Sequence, residues 1–214
     1  IGHRSKDFEK LINSLQENMI NIFKIPSNYF TLLLQGGATY QNTFIANNFD
    51  KDNKLLGCLV TGTWGKYSVE DFSKIRDTKI IEVIENEIEN YVESPWDLES
   101  VDYLHLTSNE TINGVQLREF NKIPHDSLLI DMSSDIGSYS FEWDNLAYVY
   151  AGAQKNMGIP GVSICIGDEK YLNSEDNSRY LNLGQLVEKN SLLNTPPTFS
   201  IYVLKLVTDW MIAM

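Results

Sequence analysis

Short apolar runs that alternate with polar or amphipathic segments limit most strongly what this chain can fold into. The runs are long enough for buried strands and too short to cross a membrane as helices. They lie at residues 30–34, 55–61, 80–84, 101–106, 127–132, 146–149 and 162–166. Because helical or irregular segments separate them, the pattern predicts an α/β fold with a mainly parallel sheet flanked by helices.

The connecting segments carry helical spacing. Apolar residues recur three and four positions apart over 5–24, which predicts an amphipathic helix that Pro26 ends. Further helices are expected over 40–48 and 67–75, the second with Ser68 as its N-cap. Each of these helices follows or precedes a candidate strand, as expected when helices cover the faces of a parallel sheet.

The C-terminal segment has its own helix signature. Asn194-Thr195-Pro196-Pro197 precedes an apolar stretch from Phe199 to Met214, and an Asn or Thr cap followed by Pro is typical of a helix start. The side chains expected to be buried are Ile201, Leu204, Val207, Trp210 and Met211. Because the chain stops within an apolar helix, we expect residues 1–214 to be one domain of a longer protein.

Charge and cysteine content exclude several classes of function. Lys and Arg number 17 and Asp and Glu number 29, a net charge of −12, which argues against binding nucleic acid or anionic membranes through a generally basic surface. A local pocket can still bind a small anion. Cys58 and Cys165 lie in apolar runs and are expected to be buried thiols in a reducing compartment. Without CxxC or HExxH spacing, no metal site is expected.

Localisation is inferred from what the sequence lacks. No apolar run reaches transmembrane length, and the first ten residues have no signal-peptide core, which favours the cytoplasm. A transit peptide ahead of residue 1 stays open as an alternative.

Two candidate sites lie at the carboxyl ends of predicted strands, which is where ligands bind in open parallel sheets. The turn Gly36-Gly37-Ala38-Thr39 leads from a strand into a helix and leaves backbone N–H groups free for a phosphate, or it is a plain turn. Asp131 ends the run SLLID and is able to hold a protonated pyridine or a ribose, or it is a loop acid.

Two further candidates lie later in the chain. Lys155 follows a strand among small residues, where desolvation would lower the pKa of its amine and make it a nucleophile, unless it is an ordinary solvated lysine. Asn194 and Thr195 offer an anion site at a helix start, or serve only as caps. With the aromatic face of Trp64, the four candidates together suit a pyridine aldehyde phosphate.

Seven segments carry a family resemblance: GHRSKDF, LLLQGGATYQ, TGTWGKYS, YLHLTSNETING, IDMSSDIGS, VYAGAQKNMGIPGV and LLNTPPTFSIY. In this order they resemble the phosphoserine aminotransferases, class V enzymes of fold type I that depend on pyridoxal 5′-phosphate. The resemblance implies that residues 1–214 are the large cofactor-binding domain, without the family's N-terminal segment and C-terminal small domain. It also implies a homodimer with its active sites at the interface.

The resemblance implies roles for residues around the cofactor. Lys155 would bind the cofactor covalently and then shuttle a proton. Asp131 would pair with the pyridinium nitrogen, and Trp64 would stack on the ring. Thr111 in SNETI would form a hydrogen bond to the cofactor near its phenolic side.

Other residues would bind phosphate groups by the same resemblance. Ala38, Thr39 and Gln154 would contact the cofactor phosphate, although many relatives have another residue at the position of Thr39. Asn194 and Thr195 would reach the phosphate of the neighbouring subunit's cofactor.

His3 and Arg4 resemble the pair that recognises the substrate's phosphate. The implied reaction transfers the amino group of glutamate to 3-phosphohydroxypyruvate and gives O-phosphoserine and 2-oxoglutarate, a step of serine biosynthesis. Two alternatives are another small-acid aminotransferase of the same fold, and a truncated cofactor-binding or dimerisation module without turnover.

Overall fold

A computed structural model describes residues 2–49, 54–83, 96–172 and 178–214. The strands are β1 (Tyr29–Gln35), β2 (Leu56–Val60), β3 (Thr78–Glu82), β4 (Tyr103–Thr107), β5 (Asn109–Glu110), β6 (Val115–Gln116), β7 (Leu128–Asp131), β8 (Leu146–Gly152) and β9 (Val162–Asp168). The α-helices are α1 (Lys6–Phe23), α2 (Ala38–Asn48), α3 (Thr63–Phe72), α4 (Leu183–Glu188) and α5 (Thr198–Ala213). Each of the seven strand predictions is confirmed within a few residues, except that residue 84 of the run 80–84 lies outside the described residues.

Seven strands form one sheet in the order β1-β9-β8-β7-β4-β2-β3, and β5 and β6 form a separate two-stranded ribbon. The pairs β2–β3, β2–β4, β4–β7 and β7–β8 are parallel, whereas β9 is antiparallel to both of its neighbours. Only β9 therefore runs against the others in this sheet. The mainly parallel sheet predicted from the sequence is confirmed, and the carboxyl ends of β1, β2, β4, β7 and β8 lie along one edge.

Helices cover both faces of the sheet, which explains why its central strands are almost wholly buried and mostly apolar. Phe8, Ile12 and Leu15 of α1 belong to the core on one face, together with residues of α5. Phe44 and Ile45 of α2 belong to the core on the other face. Burial on both sides removes the alternation that a half-exposed strand would show.

Helix α3 corrects one expectation from the sequence. It begins at Thr63 rather than near residue 67, and Ser68 is buried within it instead of capping it. Its N-cap residue is Gly62, whose missing side chain offers no acceptor. The first N–H groups of α3 donate instead to side chains from a distant part of the chain, so the local sequence carries no signal for this helix start.

The C-terminal helix corrects two further expectations from the sequence, the capping residues and the burial of Trp210. Helix α5 begins at Thr198 after Pro197, and Asn194 and Thr195 precede it without capping it. Ile201 and Leu204 are buried and Trp210 is 61% exposed. One face of α5 packs against α1, where Asn18 Nδ2 donates to Thr208 Oγ1 at 3.2 Å. Trp210 lies two residues after Thr208, on the opposite side of the helix, and Val207 and Met211 are half-buried.

Cys58 and Cys165 are buried and free, as expected. Burial raises the pKa of the Cys165 thiol to about 12 and that of Cys58 further, so both are protonated at neutral pH. Within the described ranges, no helix has the length and apolar character needed to cross a membrane. In the same ranges, no group of three or more His, Cys, Asp or Glu side chains is arranged to hold a metal ion.

Candidate active site

A pocket of about 200 Å³ lies at the edge of the sheet where the parallel strands end. Six residues singled out from the sequence line it: Ala38, Thr39, Trp64, Asp131, Gln154 and Lys155. They come from the segments after β1, β2, β7 and β8, far apart in the chain. The topology brings them together because the strands that precede them point the same way.

Asp131 is the last residue of β7 and is held by its neighbour Ser133. Its Oδ1 accepts hydrogen bonds from Ser133 N at 2.8 Å and from Ser133 Oγ at 2.5 Å. Burial raises the pKa of the Asp131 carboxyl to about 6, although the Ser133 donors and the Lys155 cation oppose that rise. The pocket thus holds an oriented carboxylate, and no ion pair joins it to a cation among the described residues.

Ser133 also ties together the ends of two strands. Besides donating to Asp131, its Oγ accepts from Gly152 N at 3.1 Å, at the end of β8. Because Gly152 lies three residues before Lys155, this contact fixes the start of the segment that carries the lysine. One hydroxyl therefore sets the relative position of the acid and the amine.

Lys155 lies at the mouth of the pocket. Its Nζ is 5.5 Å from the centroid of the Trp64 ring, within the range of a cation–π contact. The sequence predicted a partly desolvated lysine, and this is wrong for the chain as it stands, because Lys155 is exposed. Its small neighbours Gly152, the last residue of β8, and Ala153 are themselves buried, but the lysine side chain stays exposed.

The turn after β1 and the start of α2 form another part of the pocket wall. Gly36 has φ of +101°, a conformation that side-chain-bearing residues rarely adopt. Helix α2 starts directly afterwards with Gly37 as an N-cap that has no side chain. The first N–H groups of a helix have no partner within it, and they carry partial positive charge. The wall formed by Ala38 and Thr39 is therefore suited to an anion.

Trp64 enters the pocket from the first turn of α3. Its indole Nε1–H donates to Thr111 Oγ1 at 3.2 Å. Thr111 is exposed and supports Trp64 from outside the residues that line the pocket. The predicted ring-stacking residue and the predicted hydrogen-bonding threonine are thus direct neighbours.

The other candidates lie elsewhere in this subunit. Asn194 and Thr195 line a small separate pocket beside the end of β1. The Nδ2 of Asn194 is buried and has no hydrogen-bond partner among the described residues. His3 and Arg4 precede α1, with Arg4 exposed. A single subunit does not bring these four residues into the main pocket.

Several lining residues were missed by the reasoning from sequence. Thr107, Asn109 and Ser134 line the pocket beside Asp131. Thr107 ends β4 and Asn109 lies two residues later, so the rule that points to the carboxyl ends of strands could have found both. Ser134 Oγ donates to the Asn109 carbonyl at 3.2 Å and joins the two segments.

Comparison with known proteins identifies the class. The family model for class-V aminotransferases matches residues 1–214. Together with the mainly parallel sheet and a lysine and an aspartate at its carboxyl edge, this match defines the chain as a member of the class-V aminotransferase family.

Within that family, the chain is similar to phosphoserine aminotransferases. It is 35% identical over 215 residues to that of Bacillus subtilis (strain 168) and 37% identical over 219 residues to that of Streptococcus suis. These alignments cover 99% and 98% of this chain and 60% of each relative. The chain therefore spans about 60% of the length of the curated relatives it matches.

Solved structures give the same grouping. A phosphoserine aminotransferase from Bacillus circulans subsp. alkalophilus superposes with a TM-score of 0.85 at 34% identity, covering all of this chain and 60% of that one. A pyridoxal-phosphate-bound phosphoserine aminotransferase from Trichomonas vaginalis superposes with a TM-score of 0.87 at 29% identity, covering all of this chain and 65% of that one.

Proposed function

We propose that the chain is the pyridoxal-phosphate-binding domain of a phosphoserine aminotransferase. The reaction would transfer the amino group of glutamate to 3-phosphohydroxypyruvate, giving O-phosphoserine for serine biosynthesis. The observation that carries the proposal is the convergence of Lys155, Asp131 and Trp64 on one pocket at the carboxyl edge of the sheet.

The residues in the pocket fit this cofactor. Asp131 is oriented by Ser133, and burial raises the pKa of its carboxyl to about 6, so a pyridinium N–H would provide the cationic partner that favours its ionised form. The first turn of α2 suits the phosphate, with Gln154 as a further donor. The indole of Trp64 offers a face for the ring. Thr111 Oγ1 accepts from that indole and keeps its own O–H available to the cofactor.

Each residue would then have a defined task. When bound, the cofactor supplies an electron sink for the carbon from which a proton is removed. Lys155 Nζ would hold the cofactor through its carbonyl carbon and, once released, would accept the substrate's Cα proton and return it. Asp131 would keep the pyridine nitrogen protonated. Ser133 would keep Asp131 Oδ1 in place.

We extend the proposal to a homodimer with its sites at the interface. Lys155 is exposed in one subunit, and a second subunit would cover it and exclude water. The unpartnered Nδ2 of Asn194 supports a role for Asn194 and Thr195 in binding the phosphate of the partner's cofactor. His3 and Arg4 would bind the substrate phosphate. Buried free thiols support a location in the reducing cytoplasm.

The test is the amino-donor half-reaction, followed by the visible absorption of the cofactor. With pyridoxal phosphate bound, O-phosphoserine is expected to convert the absorption band, whereas serine at the same concentration leaves it unchanged. Arg4→Ala should raise the half-saturating O-phosphoserine concentration, and Lys6→Ala, an exposed residue two positions later, should not.

Other outcomes separate the alternatives. Conversion by an amino acid without a phosphate, and none by O-phosphoserine, would indicate another small-acid aminotransferase. Cofactor binding without conversion by any amino acid would indicate a module without turnover.

A further inference from the structure

The first N–H groups of helix α3 donate to a carboxylate that comes from a distant part of the sequence. Glu110, at the end of β5, is buried. Its Oε2 accepts from Trp64 N at 2.8 Å and its Oε1 accepts from Gly65 N at 2.7 Å. These two N–H groups are the ones that an N-cap side chain normally satisfies. The carboxylate of Glu110 also interacts favourably with the positive end of the helix dipole.

Two glycines make room for this carboxylate. A Cβ on Gly62 would lie 2.7 Å from Glu110 Cδ and 2.6 Å from Asn113 Oδ1. A Cβ on Gly65 would lie 3.3 Å from Glu110 Oε1. The segment TGTWG, with glycine on both sides of Thr63-Trp64, is therefore shaped to admit Glu110.

The residues after Glu110 hold the same turn. Asn113 Oδ1 accepts from Thr63 N at 2.8 Å and from Thr63 Oγ1 at 3.0 Å. Thr111 Oγ1 accepts from the Trp64 indole. Both the backbone and the side chain of Trp64 are thus fixed by residues 110–113, at the point where its ring faces Lys155.

We propose that Glu110 is a positioning residue that fixes Trp64 as the stacking surface for the cofactor ring. This inference rests on the proposed function. Glu110 acts through Trp64, since its two oxygens are directed to backbone N–H groups of α3 and it does not line the pocket.

Glu110→Gln is the informative substitution. In the wild-type chain the two N–H groups donate to different oxygens of Glu110, and an amide keeps only one of these oxygens. Its NH₂ group would face the other N–H, so one hydrogen bond is lost. Pyridoxal phosphate should bind about two- to tenfold more weakly, the range expected for a lost aromatic stacking contact. Glu70→Gln removes an exposed carboxylate on the same helix and should leave the affinity unchanged.

A double-mutant cycle separates positioning from a general loss of structure. If Glu110 acts through Trp64, Glu110→Gln should weaken binding by a clearly smaller factor once Trp64→Ala has removed the ring. An equal loss of affinity with and without Trp64 would overturn the inference and leave the proposed function intact. No binding of pyridoxal phosphate by the wild-type chain would instead refute the proposed function.

Hydrogen exchange provides a readout without cofactor. At least one of the Trp64 and Gly65 amides, the one that loses its acceptor, should exchange about tenfold faster in Glu110→Gln, whereas the β8 amides keep their protection. Unchanged exchange at both amides would also overturn the inference. If Glu110→Gln does not fold, Glu110→Asp replaces it, because the shorter carboxylate does not reach both N–H groups from the same backbone position. Glu110→Asp should also weaken binding, and wild-type affinity would overturn the inference.

Discussion

Replacing Asp131 with asparagine should stabilise the chain without cofactor while impairing cofactor binding. The carboxyl has an ordinary pKa of 3.8, which burial raises to about 6 in the folded chain. The folded state therefore keeps a proton that the unfolded state releases, so the free energy of unfolding falls as the pH rises from about 4 to about 6. Asparagine carries no charge, and its Oδ1 can still accept from both Ser133 donors.

The size of the effect follows from the shift of the pKa. The rise from 3.8 to about 6 corresponds to a cost of about 3 kcal/mol for the ionised carboxylate above pH 6. Because Asp131 is only half-buried in the structure, contact with water reduces this to about 1–2 kcal/mol. Asp131→Asn should recover that amount at pH 8 and about half of it at pH 5.

Urea unfolding of the cofactor-free chain at pH 5 and pH 8 measures this difference. Asp126→Asn, at an exposed position, is the matched control and should change the free energy of unfolding by less than about 0.5 kcal/mol. The same Asp131→Asn variant should bind pyridoxal phosphate about 10- to 100-fold more weakly, because it loses a charged hydrogen-bond acceptor. A variant that is less stable than wild type at pH 8, or a gain that does not depend on pH, would refute the reasoning.

Three other predictions follow from the packing. Gly62→Ala should lower the free energy of unfolding by about 1–3 kcal/mol in urea titrations, because its Cβ would collide with Glu110 and Asn113, whereas an exposed position with free space, Gly2→Ala, should be neutral. Ser133→Ala should cost about 1–3 kcal/mol by the same measurement, since it removes a bond to Asp131 and the acceptor of Gly152 N. Trp210→Ser should reduce self-association in light scattering with a change in stability below about 0.5 kcal/mol, since the side chain is 61% exposed; unchanged association would contradict this.

The strands could be predicted because burial on both faces leaves a local signal. Runs such as SLLID and GVSICIG need no knowledge of their partners to be recognised as buried strands. Their order in the sheet and the reversed direction of β9 left no such signal, because pairing is decided by residues distant in sequence. The start of α3 was missed for the same reason, since Glu110 lies 45 positions after the Gly65 amide that it caps.

The candidate site was predictable to a similar extent. Asp131 and Lys155 follow recognisable strands, so the rule that ligands bind at strand ends located both. The exposure of Lys155 was not predictable, because it depends on what lies across the pocket rather than on the small residues beside it. Glu110 was missed because a glutamate three residues after the end of β4 has no distinctive chemistry until its two acceptor bonds are seen.

The most direct test of the central claim is to locate the lysine that reacts with pyridoxal phosphate. The purified chain is incubated with the cofactor and reduced with borohydride, and its peptides are mapped by mass spectrometry. The adduct is expected on Lys155, to be lost in Lys155→Ala and to persist in Lys66→Ala, which removes an exposed lysine two residues after Trp64. A folded wild-type chain with no adduct, or with its main adduct on another lysine, would contradict the account.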